Sequence, residues 1–350
     1  MIAFEPNRAL EGAPADGAPD YRPSDTRSAV SEMTTKQLAA PLIMRAPRPR
    51  LPAPPVPLPT MLKTSPALRS AVPRGVLMAR AERQAKRAWD IDGYERREAI
   101  ASMATIVTGT PREPELEPLA RWHLIETYAD RVLFWEHWRV PDVEQASLAH
   151  ARAAMASGRG VVISSCHTGP FYRSLLIFRE LGRIPWAVCG SWFFGEHTRD
   201  YWGRRLHHWW TETYTHLIDA PGSRPTVQRL LADGELVSIT FDLPGPRPTQ
   251  FLGKPMMLAE GTARLAVETG ALILPMQIRR AGSGARQEFA PAIDPRALGD
   301  VDAVHKVIGD THERWILEDP ASMADPRGFG WNEWATPHSW IEPRPDRPAG

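Results

Sequence analysis

One local grammar recurs between Gly160 and Ile278, and it restricts the fold more than any other feature. The run Gly160-Val161-Val162-Ile163-Ser164-Ser165 is short, apolar and β-branched, as buried parallel strands are. A polar turn follows, then an apolar stretch from Phe171 to Leu181 that reads as a helix closed by Gly182. Trp186-Ala187-Val188-Cys189 is a weaker strand. Gln228–Asp233 reads as helical, Gly234 turns the chain, and Leu236–Phe241 is again a strand. Gly261–Thr269 reads as helical, Gly270 caps it, and Ala271–Ile278 is a strand. Strands alternating with helices predict an α/β fold, a mostly parallel central sheet with helices on both faces. Upstream, three- and four-residue apolar spacing predicts helices over Arg80–Val107 and Pro118–Val140, where Pro141 stops the second. Val143–Ser157 reads as a third helix.

The remainder of the chain has a different character. Proline makes up 35 of 350 residues and includes the run Pro52-Ala53-Pro54-Pro55-Val56-Pro57-Leu58-Pro59. A segment this rich in proline and poor in aromatics cannot offset the entropy of ordering, so residues 1–75 are expected to be a disordered tail. That tail is either a solvated extension or a docking peptide, and translation starting at Met61 or Met78 is a further alternative. Residues 76–340 are expected to form one domain, and 341–350 a flexible end.

Charge and cysteine content narrow the class. Basic residues number 42 against 41 acidic, which argues against a nucleic-acid reader. Two cysteines, Cys166 and Cys189, cannot build a disulfide framework and suit a reducing compartment. No stretch approaches the ~18 uncharged apolar residues of a membrane span, and Met1–Asp20 lacks the pattern of a signal peptide. The expectation is a cytoplasmic protein able to touch the inner membrane face.

Active sites of parallel sheets lie at the carboxyl ends of the strands. Ser165-Cys166-His167-Thr168-Gly169-Pro170 is such an end. His167 there can act as a general base, or it can be structural. Gly169 would let backbone approach a substrate. Cys166 neighbours His167 in extended chain, so the two side chains should diverge. Asp242 ends a later strand and leads into Pro244-Gly245-Pro246-Arg247, read as a tight polar loop. Asp242 and Arg247 can orient a base or hold an anion; a capped turn is the plainer reading. Trp186 to Trp210 is dense in aromatics and also carries Arg199 and Arg204. It either covers an acyl chain, rests on a lipid surface, or fills core. His208, Glu212 and His216 would share a face on one helix, but the spacing matches no known zinc enzyme, and no metal site is assigned.

Several of these features together resemble the bacterial lipid A late acyltransferases (lauroyl and myristoyl acyltransferases), within the lysophospholipid acyltransferase-like superfamily. The family pattern is a strand, then His-x-Gly-x-x-Glu, then a helix; here it reads His167-Thr168-Gly169-Pro170-Phe171-Tyr172. A strand ending in Asp242 is followed by Phe251-Leu252-Gly253-Lys254-Pro255, then Glu260-Gly261-Thr262-Ala263-Arg264, then Gly270-Ala271-Leu272-Ile273-Leu274-Pro275. Trp331-Asn332-Glu333-Trp334 loosely matches the family's closing segment. The sequence departs from the pattern at Tyr172, which stands in place of the acid. A family arginine is also missing from Val188–Ser191, for which Arg199 or Arg204 would substitute.

The resemblance implies transfer of a fatty acyl group from an acyl carrier protein or acyl-CoA thioester to a hydroxyl or amine, with no cofactor besides that donor. His167 would be the base, with Tyr172 or Asp242 orienting it. Backbone amides near Gly169 or the following helix would stabilise the oxyanion. Gly169, Arg199, Arg204, Arg247, Gly253 and Glu260 would line the substrate. The acceptor would be a lipid or small metabolite, with acyl carrier protein as a partner. A non-catalytic acyl- or carrier-binding descendant and a thioester hydrolase are the alternatives.

Overall fold

A computed structural model describes residues 43–44, 71–91, 93–136, 139–190, 210, 215–324 and 326. In chain order the elements begin with β1 (Ile43–Met44), α1 (Arg74–Asp90), α2 (Tyr94–Val107), α3 (Leu116–Leu133), β2 (Asp142–Val143) and α4 (Gln145–Ala156). Next come β3 (Val161–Ser165), α5 (Leu176–Glu180), β4 (Trp186–Cys189), β5 (His216–Asp219), α6 (Arg224–Ala232) and β6 (Leu236–Thr240). The chain continues through β7 (Pro244–Phe251), β8 (Lys254–Leu258), α7 (Gly261–Thr269), β9 (Leu272–Ala281), β10 (Gly284–Phe289), α8 (Pro295–Leu298) and α9 (Val301–Glu318).

Eight strands form the main sheet in the order β1-β5-β4-β6-β3-β9-β10-β2. Every neighbouring pair is parallel except β9 with β10. The α/β architecture read from the sequence is therefore the one observed. Central strand β3 shows why: all five of its residues are buried, so both faces must be covered. Val161 and Ile163 join one apolar cluster, with Phe178, Leu274 and Met276. Val162 faces the other, with Phe241, Ile273 and Ile308. Adjacent residues thus feed opposite layers, as a period of two requires.

The structure differs from the sequence reading in several places, among them the helix expected over Pro118–Val140, which ends at Leu133 before a 3₁₀ turn, and Val143, which lies in β2 rather than in the following helix. The stretch expected to be helical over Arg80–Val107 is two helices, because α1 ends at Asp90 and α2 starts after Gly93. The expected helix Phe171–Leu181 is a 3₁₀ turn, Phe171–Arg173, followed by the short α5. Residues Pro244–Arg247, read as a loop, open strand β7 of a separate two-stranded hairpin with β8. His216 opens strand β5 and packs on Trp186, ring centroids 4.4 Å apart, so it does not continue a helix from His208. Inside the segment read as a tail, Ile43–Met44 pairs with Leu217–Ile218 at the sheet edge. The other tail residues up to 70, and the expected C-terminal end 341–350, lie outside the described residues.

Candidate active site

Strands β3 and β6 are parallel neighbours, with Ser165 paired to Thr240. Two residues beyond each, His167 and Asp242 stand side by side although 75 positions separate them in the chain. The Asp242 carboxylate accepts two hydrogen bonds from the same residue. Oδ2 takes the His167 backbone N–H at 2.8 Å, and Oδ1 takes Nδ1–H at 2.9 Å. Asp242 has 0% of its side-chain surface exposed and His167 11%. A carboxylate can only accept, so this contact puts the ring proton on Nδ1 and the lone pair on Nε2. Phe171 meets the imidazole edge-on at 4.8 Å and further restricts its rotation.

The loop after β3 is clamped by backbone. The Ala324 N–H donates to the His167 carbonyl at 2.8 Å, and the Gly169 N–H to the Ser322 carbonyl at 2.6 Å. Thr168 forms a bridge with Met323. His123 on α3 holds this clamp from behind, its Nδ1 lying 3.0 Å from the Ala321 carbonyl. The Ser322–Ala324 clamp has no short motif of its own, so the sequence carried no signal for it.

Gly169 is required for a reason other than the one expected. Its φ is +48°, and a Cβ there would lie 2.8 Å from the Ile278 carbonyl oxygen and 2.9 Å from Arg279 Cα. Its close approach is to β9, and its amide is already bound to Ser322. With the Gly169 amide engaged, the oxyanion donors expected near Gly169 or at the following helix would be other backbone amides.

Tyr172 occupies the position where the resemblance places an acid, and its hydroxyl is engaged elsewhere. It donates to Asp130 Oδ1 at 2.9 Å, while the Tyr172 carbonyl accepts the Trp210 Nε1–H at 3.1 Å. Burial pushes the Asp130 carboxyl up to about 7, against the opposing pull of the Tyr172 hydrogen bond, with the nearby Glu126 raising it further. Asp130 lies on α3, and the sequence reading missed it because nothing in a helical stretch marks one acid as enclosed. Next along, buried Arg173 donates from Nε to the Arg139 carbonyl at 3.0 Å, anchoring the other side of the turn. Cys166 points into the apolar cluster opposite, where burial holds its thiol well above the ordinary range.

The other candidate residues form a second, separate polar group. Arg247 donates from Nε to Glu260 Oε2 at 2.8 Å and also pairs with Asp302 on α9. Glu260 precedes α7 and also holds Arg264. Arg247 thus has its charge matched by two carboxylates, the setting of a structural ion pair. Gly253 is likewise a turn residue. Leu252 at φ +53° and Gly253 at φ +71° are the tip of the β7–β8 hairpin, packed so closely on Gly109 that a Cβ would overlap its carbonyl. Arg199, Arg204, the aromatics from Trp192 to Trp209, His208, Glu212 and Trp331–Trp334 lie outside the described residues. Trp186, at the start of that aromatic segment, is core.

Residues 230–324 match the family of bacterial lipid A biosynthesis acyltransferases, a span that includes Asp242 and the Ser322–Ala324 clamp. Phosphatidylinositol mannoside acyltransferases of two Mycobacterium tuberculosis strains are each 27% identical over 246 residues, covering 61% of this chain and 71% of the relative. The crystal structure of the 1-acyl-sn-glycerophosphate acyltransferase PlsC from Thermotoga maritima is 14% identical, with a TM-score of 0.33 over 71% of this chain and 97% of that one. His167 and Asp242 thus sit in a chain that is similar to the bacterial lipid A biosynthesis acyltransferases over residues 230–324 and to the mycobacterial acyltransferases over 246 residues.

Proposed function

We propose that this chain transfers a fatty acyl group from a thioester, carried by acyl carrier protein or coenzyme A, to a hydroxyl or amine acceptor, with His167 as the general base. One observation carries the reading: His167 Nδ1 is held at 2.9 Å by the fully buried Asp242. A carboxylate on Nδ1 makes Nε2 the more basic nitrogen and stabilises the imidazolium that forms when it takes a proton. Nε2 removes the acceptor proton as the acceptor oxygen or nitrogen attacks the thioester carbonyl. The resulting tetrahedral oxyanion collapses, the C–S bond breaks, and the departing sulfur takes the proton back from Nε2. The products are the acylated acceptor and the free thiol.

The names of the mycobacterial relatives support a hydroxyl-bearing glycolipid as one class of acceptor. The non-catalytic alternative rested on the acid absent at Tyr172 and on the family arginine absent from Val188–Ser191. Asp242 supplies a carboxylate to the same imidazole from another strand, which weakens that alternative.

The test is to incubate the purified full-length chain with acyl carrier protein and coenzyme A thioesters of several chain lengths, with and without hydroxyl-bearing lipids. Thiol release that rises with an acceptor, with the acyl group recovered on that acceptor, is the expected result. Release that yields only free fatty acid would reassign the chain as a hydrolase. Binding of donors without release would reassign it as a carrier of acyl groups.

A further inference from the structure

Helix α9 turns toward the sheet a face that the chemistry at His167 does not use. His305, Gly309 and His312 recur on it at four- and three-residue spacing, so they share one side of the helix. That side grips the ring of Phe241, the residue before Asp242. The His305 imidazole lies against it with ring centroids 4.9 Å apart and a tilt of 39°. His312 stacks on it at 5.5 Å and 30°. Between the two, Gly309 comes so close that a Cβ there would meet Phe241 Cζ at 3.4 Å. Phe251 meets the same ring edge-on at 5.7 Å. Phe241 is fully buried, so this cage fixes where the ring can lie.

His312 reaches the neighbouring strand as well. Its Nε2 lies 2.9 Å from Ser164 Oγ, and both residues are buried. Ser164 is on β3, in the strand that leads into His167. The Phe241 N–H donates to the Ser165 carbonyl at 2.8 Å, so the same short region also joins β3 to β6 through backbone. One side chain of α9 therefore touches both strands whose ends carry the base and its acid. Burial pushes the His312 imidazole down to about 4, with Asp242 pulling the other way. The ring is thus neutral at pH 7 and leaves the Asp242 charge to His167. A buried imidazole is costly without hydrogen bonds, and an apolar side chain would fill this place without that demand.

We propose that His312 is a positioning residue for the His167–Asp242 pair, acting on β3 through Ser164 and on β6 through Phe241. The inference rests on the acyl-transfer reading for its chemistry, and His312 itself touches no reacting atom. Ladder pairing between the strands runs to Ser165 and Thr240, so His167 and Asp242 stand beyond its last pair. A brace beneath that overhang keeps Nδ1 and Oδ1 in register. Registration matters because a misplacement of about 1 Å can cost ~10²-fold in rate.

The test uses the full-length chain with His312→Leu, His312→Gln, Ser164→Ala and the double variant His312→Leu/Ser164→Ala, each with its thermal melt recorded. One readout is kcat and donor KM for thiol release. The other is the nitrogen NMR spectrum of histidine-labelled protein, with the His167 ring signals assigned by their loss in His167→Ala. His312→Leu should lower kcat by about 10- to 100-fold at unchanged KM. Its His167 ring should pass from the Nδ1–H tautomer to a mixture of both. Ser164→Ala should move both readouts the same way and add nothing to His312→Leu. Glutamine, whose amide can reach Ser164 Oγ, should recover most of both. A wild-type kcat or a wild-type His167 spectrum in folded His312→Leu would overturn the proposal. So would a loss confined to the melt, the mark of a plain core residue. If His312→Leu does not fold, Ser164→Ala decides on the same two readouts, since it removes a single oxygen. A wild type that releases no thiol would sink the acyl-transfer reading, while the tautomer of His167 in the variants would still decide whether His312 positions it.

Discussion

Two polar groups flank the turn that leaves β6, and both were candidate sites by residue type. In one, a single carboxylate, Asp242, serves a single base, and both are almost fully enclosed. In the other, Arg247 meets Glu260 and Asp302, and Glu260 meets Arg264 as well. The first arrangement leaves a titratable nitrogen oriented by its partner. The second matches every cation with an acid, and Asp302 is 79% exposed. Residue type did not separate the two groups, but what each charge is bound to does. A pair that fixes one atom of a base while sparing the other has chemical capacity, and a closed network of permanent charges has mainly a structural one.

Four substitutions test this contrast. Asp242→Asn should have the largest effect. An amide cannot accept from both the His167 backbone N–H and Nδ1–H, so the ring loses its tautomer or its orientation. Thiol release should fall by ~10²–10⁴-fold, the range seen when the orienting acid of a histidine base is neutralised. A fall of less than tenfold would detach Asp242 from the chemistry.

Gly169→Ala should come next, acting through folding. The added methyl would press on the β9 backbone at a left-handed φ, and strain of this kind costs about 1–3 kcal/mol, visible in denaturant melts. A melt equal to that of the wild type would contradict the packing described.

Asp130→Asn should change how stability depends on pH. The folded state holds this carboxyl proton up to about 7 rather than the ordinary 3.8, so stability falls as pH rises between those values. Each unit crossed is worth at most about 1.4 kcal/mol. Because asparagine can still accept from Tyr172, the variant should melt like the wild type near pH 4. It should become relatively more stable toward pH 7, and parallel profiles would show that Asp130 does not titrate there.

Arg247→Gln should be mildest. Glu260 keeps Arg264, partly exposed ion pairs are worth about 1 kcal/mol or less, and thiol release should be unchanged. A selective rise in KM for the donor would restore Arg247 to substrate binding.

Much of the fold could be read from the chain because buried parallel strands leave an unmistakable local pattern. Val161–Ser165, Leu236–Thr240 and Leu272–Ile278 are apolar on both faces, and glycine closes the preceding helices. The β7–β8 hairpin escaped detection because its prolines disguise an exposed strand, and its tip places Leu252 at a φ that leucine rarely adopts. For the site, His167 and Asp242 were visible as strand ends. Their pairing was one of two alternatives, with Tyr172 the other, because the choice of Asp242 depends on β6 lying next to β3 while β4 and β5, earlier in the chain, lie farther out. The enclosure of Asp130 and the clamp from Ser322 are tertiary facts with no local signature. Tyr172 shows the hazard of reading a motif by position. The acid missing from the loop is present on a neighbouring strand.

The most direct test of the account is single-turnover thiol release from the best acyl donor and acceptor, comparing wild type with His167→Ala. The account predicts that release from the variant drops by ~10³-fold or more while the donor still binds and the melt is preserved. Release at the wild-type rate from a folded His167→Ala protein would contradict the assignment of His167 as the base.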